Sequence, residues 1–128
     1  MRKFALSLIN EIKGRIKLFK LIVDNKCLYD EFEKEIEKEG NYKSELRTIE
    51  TRLQEIADCK SMPGTKFRDI TPEKDSTKEY EIKTHHLRVY LFQDKRTGHI
   101  IVLAGKKGTQ KADIKQLRKL KNEYFKNR

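Results

Sequence analysis

Two neighbouring apolar runs near the C-terminus constrain the fold more than any other part of this sequence. The first reads HLRVYLF over residues 86–92, and its alternation places Leu87 on one face of a strand and Arg88 on the other. The second, IIVLA over residues 100–104, is the most apolar strand candidate in the chain. Because a short connection ending at Gly98 separates them, the two runs are predicted to pair as an antiparallel hairpin.

The segments before this hairpin predict two helices. In CLYDEFEKEIEKEGN, Leu28, Phe32 and Ile36 recur every four residues, which is the spacing of one helix face, and Gly40 supplies a C-terminal stop. Ser44 is the predicted N-cap of the second helix. The apolar positions of that helix are Leu46, Ile49, Leu53 and Ile56. Since the connection between them is short, the two helices should lie antiparallel.

The remaining segments complete an α+β pattern. Residues 15–24 read as a strand, and residues 4–9 are either a shorter strand paired with it or the start of a helix. Residues 79–84 alternate as a further strand, and a basic helix begins at about Lys111. We therefore predict one domain over residues 1–128, in which a small antiparallel sheet packs with an N-terminal helical hairpin and a C-terminal helix.

Positive charge is concentrated at the end of the chain. The formal net charge is +10, and residues 80–128 hold 13 Lys or Arg against 4 Asp or Glu. A basic surface of this kind attracts polyanions, of which nucleic acid is the commonest. The alternative is a solvated face that serves only solubility.

A cluster of lysines follows the apolar strand, in AGKKGTQK over residues 104–111. A phosphate-binding loop is excluded by spacing, because its lysine must follow the second glycine directly and here both lysines precede Gly108. A plain turn with solvated lysines is the alternative to an anion-binding role.

Several residues are candidates for a polyanion site that needs no metal. Arg88 is the strongest, since a charge in the middle of a patterned strand is costly unless something uses it. The alternative to a catalytic role for His85 and His86 is a polar turn between two strands, and the alternative for the tyrosines is a place in the core. Arginine, lysine, histidine and tyrosine without a carboxylate cluster can cleave RNA by acid–base catalysis with cations on the phosphorane. The candidate catalytic residues are Arg88, His85, His86 and Tyr124, and the candidate RNA-binding residues are Lys83, Lys106, Lys107 and Lys111.

The order of these C-terminal segments resembles the RelE/ParE superfamily of bacterial toxins, most closely its HigB-like and phage Gp49-like branch. That branch shows a strand near LYELR, a strand near YRVLYF, a hairpin, an apolar strand and a KKTQK run that opens a helix. The counterparts here are YEIK at residues 80–83, LRVYLF at 87–92, IIVL at 100–103 and KKGTQK at 106–111. In this chain Gly108 interrupts the basic run, and Lys83 stands where arginine is common.

The resemblance implies a RelE-like fold and the toxin of a type II toxin–antitoxin pair, with a cognate antitoxin encoded by an adjacent gene. Many relatives are metal-free endoribonucleases that cut messenger RNA on the ribosome, so the implied partners are the ribosome and mRNA, and no cofactor or metal is implied. By position, Arg88 corresponds to the family's strand arginine, and Lys106 and Lys107 correspond to its basic run.

Two classes of function remain open from the sequence. One is the ribosome-dependent ribonuclease, and the other is a non-catalytic basic binder, either a gyrase-directed ParE-type toxin or an RNA- or DNA-binding module. The apolar stretch at residues 4–9 is too short for a secretory signal, and no segment approaches transmembrane length. We therefore expect a cytoplasmic protein without membrane contact, with Cys27 and Cys59 as thiols.

Overall fold

The computed structural model describes residues 2–127, which form a single six-stranded sheet with helices on both faces. The strands are β1 (Phe4–Leu8), β2 (Leu18–Val23), β3 (Phe67–Asp69), β4 (Glu79–Lys83), β5 (Leu87–Asp94) and β6 (Gly98–Lys106). The helices are α1 (Leu28–Glu39), α2 (Lys43–Ala57) and α3 (Gln110–Lys126), the last preceded by a short 3₁₀ turn, Lys107–Thr109. The predicted α+β class is confirmed.

The sheet is mixed, whereas an antiparallel sheet was predicted. Its strand order is β1-β2-β6-β5-β4-β3, and β2 pairs with β6 in parallel from Leu18 opposite His99 to Lys20 opposite Ile101. All the other pairs are antiparallel. The prediction was wrong on this point because β1 and β2 form a hairpin that adds to the far side of β6. That hairpin confirms the strand alternative for residues 4–9.

Each face of the sheet carries its own apolar core. Leu87, Val89 and Leu91 pack with the buried side chains of α1 and α2. Tyr90 and Phe92 pack on the other face with the core residues of α3, which are Leu117, Leu120 and Tyr124. The alternation read from β5 is therefore confirmed on both sides. In β6 the register shifts opposite Tyr90 and Leu91. As a result, two consecutive residues, Val102 and Leu103, both join the α3 core.

The predicted end of α1 is confirmed, but the predicted N-cap of α2 is wrong. Gly40 ends α1 in the left-handed conformation at φ 83°, and its N–H donates to the Ile36 carbonyl, as predicted. The N-cap of α2 is Tyr42, however, and the predicted cap Ser44 lies inside the helix. The helix starts earlier because the backbone carbonyl of Tyr42 already accepts from the N–H groups of Glu45 and Leu46.

Gly98 opens β6 in a conformation that other residues rarely adopt. Its φ is 148°, and a Cβ there would lie 2.4 Å from the carbonyl oxygen of Lys17. We expect Gly98→Ala to destabilise the protein by about 2 kcal/mol or more in urea unfolding, because both strain and a backbone clash oppose it. Gly64→Ala is the matched control, since nothing lies within 4 Å of its added Cβ. Equal effects of the two substitutions would contradict this account of Gly98.

None of the helices in the part of the chain that is described is both long and apolar enough to span a membrane.

Candidate functional site

One end of the sheet gathers most of the predicted site residues. At this end β4 finishes, β5 begins, and β6 passes into α3, so the turn after β4 and the start of α3 are neighbours. The backbone N–H of Lys107 donates to the carbonyl of His86 at 2.8 Å, which joins the two segments. We call this region the basic end. It comprises Lys83, His85, His86, Arg88, Lys106, Lys107 and Lys111.

Arg88 lies at the centre of the basic end and is 7% exposed. It sits opposite Lys83 on β4 and Gly105 on β6. Its Nη1 donates to the carbonyls of Thr84, at 2.6 Å, and Leu87, at 2.9 Å. Its Nε is buried and makes no hydrogen bond to any described residue. Within residues 2–127, no carboxylate oxygen comes within 4.0 Å of this guanidinium. The guanidinium thus has donor capacity that no described residue uses.

The turn beside Arg88 is held by Glu45 of α2. Glu45 accepts from the backbone N–H of His86 at 2.7 Å, and its other oxygen lies 2.8 Å from His86 Nδ1. The Thr84 hydroxyl also donates to this carboxylate. The His86 ring stacks on Tyr42 at 4.4 Å between centroids, with His85 against its edge at 4.3 Å. The His86 imidazole is therefore oriented, while the ring of exposed His85 is free to face a ligand.

Glu45 makes this turn sensitive to acid. Burial raises the pKa of its carboxyl, but hydrogen bonds from Thr84 and from the backbone and ring of His86 lower the pKa overall, below its ordinary value of 4.5. A carboxyl whose pKa is lower in the folded state than in the unfolded state stabilises the fold at pH values above its ordinary pKa. This stabilisation is lost as the pH falls through the folded-state pKa. We expect hydrogen exchange at the His86 amide to accelerate, beyond the intrinsic change with pH, below about pH 4.5.

Glu45→Gln is the control for this acid response. It should make the His86 amide less protected at neutral pH and remove most of the additional acid-induced acceleration. An unchanged pH profile in this variant would show that Glu45 is not the titrating group.

The three lysines of the run at residues 106–111 differ in their surroundings. Lys106 points toward the α1–α2 side, where its Nζ lies 2.7 Å from Glu39 Oε1 and 5.9 Å from the centre of the Tyr42 ring. Lys107 and Lys111 are exposed, and within the described chain neither ammonium has a carboxylate within 4.0 Å. The two unpaired lysines are thus the better candidates for contact with a polyanion.

Two carboxylates, Glu81 of β4 and Asp113 of α3, also lie near this region. Glu81 is fully buried on the same face of β4 as Lys83, where it accepts from Gln110 Nε2 at 2.5 Å and lies 3.2 Å from Arg68 Nη2. Asp113 in the first turn of α3 is half-buried, and burial raises the pKa of its carboxyl. Sequence spacing missed both because they reach this region from different elements. Within residues 2–127, no cluster of three or more His, Cys, Asp or Glu could hold a metal ion.

Gly105 allows α3 to begin close to the sheet. A Cβ at this position would lie 2.0 Å from Asp113 Oδ2 and 2.9 Å from the hydroxyl of Thr109. That hydroxyl donates to Asp113 Oδ2 at 2.6 Å. The absence of a side chain at Gly105 therefore lets the first turn of α3 cover the strand directly beside Arg88.

Tyr124 does not join the basic end. It lies near the C-terminus of α3, where its hydroxyl donates to Asp94 Oδ2 at 2.9 Å and its ring contacts Phe4 and Phe92. Asp94 is six residues from Arg88 along β5, or about 20 Å at the rise of a strand. Tyr124 is therefore too far from Arg88 to share one phosphate with it.

Tyr42 and Glu45, which shape the His86 turn, were not found from the sequence. They lie on α2, about 40 residues before the turn, and no local pattern links the two segments.

No protein-family model matches this chain, and no curated protein or solved structure shows significant similarity to it.

Proposed function

We propose that this protein is the toxin of a type II toxin–antitoxin pair with a RelE-like fold, and that it cleaves messenger RNA on the ribosome without a metal. The observation that carries the proposal is Arg88, a nearly buried guanidinium with an unsatisfied Nε and no carboxylate partner among residues 2–127. The same proposal is supported by the order of segments after residue 80, by the helices before it and by the concentration of positive charge.

The proposed reaction is an internal transesterification of the RNA backbone. A base takes the proton of the 2′-hydroxyl, the 2′-oxygen attacks the adjacent phosphorus, and the bond to the 5′-oxygen breaks as an acid protonates that leaving oxygen. The products are a 2′,3′-cyclic phosphate and a 5′-hydroxyl. Arg88 stabilises the charge on the phosphorane, which is the role of a preorganised donor in a buried site.

The histidines are the proposed proton carriers, and Tyr124 is not retained in this role. His86 is oriented through Nδ1 by Glu45, as a positioned acid or base requires, and the exposed ring of His85 lies against it. Lys83, Lys107 and Lys111 bind the RNA backbone in this scheme. Lys106 contributes less, because Glu39 already neutralises its charge.

The direct test is to map cuts on a message carried by translating ribosomes. We expect cleavage that leaves a 5′-hydroxyl, depends on the ribosome and persists when the metal supplied is limited to the magnesium that the ribosome needs. An intact message together with normal growth on expression would overturn the proposal. A cognate antitoxin from an adjacent gene should suppress cleavage when added in equal amount.

A non-catalytic binder is the second candidate, and specific contacts favour it. One histidine and one lysine of the basic end are already engaged within the protein, since His86 is hydrogen-bonded to Glu45 and Lys106 is ion-paired with Glu39. In that case the basic end holds nucleic acid, or a target such as gyrase, without cutting RNA. If every histidine substitution leaves both binding and the biological effect unchanged, the protein is the non-catalytic binder.

Salt dependence tests the polyanion surface for both candidates. Reversing Lys107 and Lys111 to Glu should weaken binding to RNA or ribosomes and lower the slope of log K against log salt by about 2, because two phosphate contacts are lost. The matched control reverses Lys34 and Lys38, which are equally exposed on α1. If the two double variants have the same titration curve, the basic end is not the contact surface.

A further inference from the structure

A cavity of about 370 Å³ opens between α1, α2 and the loop that joins β1 to β2. It shares no residue with the basic end. Its apolar lining residues are Ile9, Ile12 and Leu53. The volume falls in the range of about 300–1,000 Å³ that is usual for small-ligand pockets. The isoleucines and Leu53 give it an apolar wall, and the remaining groups are polar.

The charged groups of this cavity are predominantly acidic, in a protein whose net charge is +10. Three of the lining residues are carboxylates, and the single cation, Lys20, is already bound to Asp30 at 2.7 Å. Within the described chain Glu11 and Glu50 have no ion-pair partner, and Glu33 lies 3.8 Å from Lys20 Nζ. The cavity therefore has negative charge that the protein itself leaves unneutralised.

Tyr29 provides an independent observation. The residue is only 2% exposed and lines the cavity, yet its hydroxyl makes no hydrogen bond to any residue between 2 and 127. Burial raises its pKa, and the nearby carboxylates of Glu33 and Glu50, which line the same cavity, raise it further. Because the chain itself provides no partner for this hydroxyl, it is free to hydrogen-bond to a ligand in the cavity.

We propose that this cavity binds an organic cation, an amine or guanidinium on a short aliphatic chain. The charged group would lie between Glu33 and Glu50 within reach of the Tyr29 hydroxyl, and the chain would cover the apolar wall of Ile9, Ile12 and Leu53. Burial raises the pKa of Glu33. Lys20 lowers this pKa and the neighbouring carboxylates raise it, so the pKa is raised overall. A bound cation would reduce the repulsion between these carboxylates. The ligand is either a free small molecule or an arginine side chain of a partner.

Isothermal titration calorimetry with agmatine tests the site. We expect saturable binding to the wild-type protein and about tenfold weaker binding to Tyr29→Phe and to Glu50→Gln, since each loses one polar contact to the cation. Glu35→Gln is the matched control, because Glu35 is an exposed carboxylate of α1 that does not line the cavity. It should bind agmatine like the wild type.

A second titration distinguishes the two sources of the ligand. Tighter binding of a blocked Ala-Arg-Ala peptide than of agmatine, with the same losses in both variants, assigns the site to a partner's arginine. No saturable binding of either probe, equal binding of neutral 1,5-pentanediol, or equal losses in Glu35→Gln would overturn the proposal. The Glu50→Gln variant should arrest growth as the wild type does. The binding titrations do not depend on ribonuclease activity, so their result stands even if the proposed function fails.

Discussion

Replacing Arg88 with alanine is expected to abolish growth arrest when the protein is expressed alone, and to lower cleavage of ribosome-bound message by about 10²–10³-fold. This is the usual effect of removing one preorganised donor from the developing negative charge of a transition state. Arg88 is suited to that role because its guanidinium is fixed by two backbone carbonyls and has no carboxylate within 4.0 Å among residues 2–127. Message cleavage measured at matched protein levels is the readout.

Two controls separate this effect from folding and from loss of charge. Arg96→Ala removes an exposed arginine in the β5–β6 connection, far from the basic end, and should leave cleavage unchanged. Arg88→Lys keeps the charge but loses the forked donor geometry, so it should recover only part of the activity. If Arg88→Ala is folded by circular dichroism and still cleaves at the wild-type rate, Arg88 has no part in the chemistry.

The second large effect concerns stability, on the α3 face of the sheet. Lys121 is 2% exposed and is bound there by Glu79, which is fully buried, and by Asp75 at 2.5 Å. Arg118 Nε donates to the same Glu79 at 3.0 Å. Removing Glu79 leaves the buried ammonium of Lys121 with only the partly exposed Asp75 as its partner, so Glu79→Ala should lower the free energy of unfolding by about 3 kcal/mol in urea.

An exposed ion pair serves as the control for Glu79. Lys78 and Asp69 lie 3.5 Å apart with about half of each side chain in solvent, and Lys78→Ala should cost no more than about 1 kcal/mol. Replacing Glu79 with Leu together with Lys121 with Met should recover most of the lost stability, because no buried charge remains unpaired. A loss of less than about 1 kcal/mol for Glu79→Ala would show that the network contributes little.

Much of the C-terminal half could be predicted because its signals are local. The alternation of β5 assigned Leu87 and Arg88 to opposite faces, and the short Gly98 connection predicted the β5–β6 hairpin; both predictions are confirmed. The parallel pairing of β2 with β6 could not be predicted in this way. Its partners are some 80 residues apart, and the apolar composition of residues 15–24 fits either strand direction.

In the candidate site, too, local signals could be predicted from the sequence and contacts between distant segments could not. Arg88 was conspicuous as a charge within an apolar strand, and the predicted β5–β6 hairpin brings the lysine run beside the histidine turn. Tyr124 was misplaced because helical spacing gives the face of a residue but not its distance along the sheet. From Gln110 to Tyr124 the helix rises about 20 Å. Glu45 was missed because only the tertiary fold brings α2 against that turn.

The position of β6 has a consequence for the order in which the protein can be completed. This strand is the last to be synthesised, yet it lies between β2 and β5 and contacts both. Until residues 98–106 are available, the N-terminal hairpin has no sheet to join, and the carbonyl of His86 lacks the donor that Lys107 provides. A nascent chain therefore lacks an assembled basic end until residues 98–107 have been synthesised.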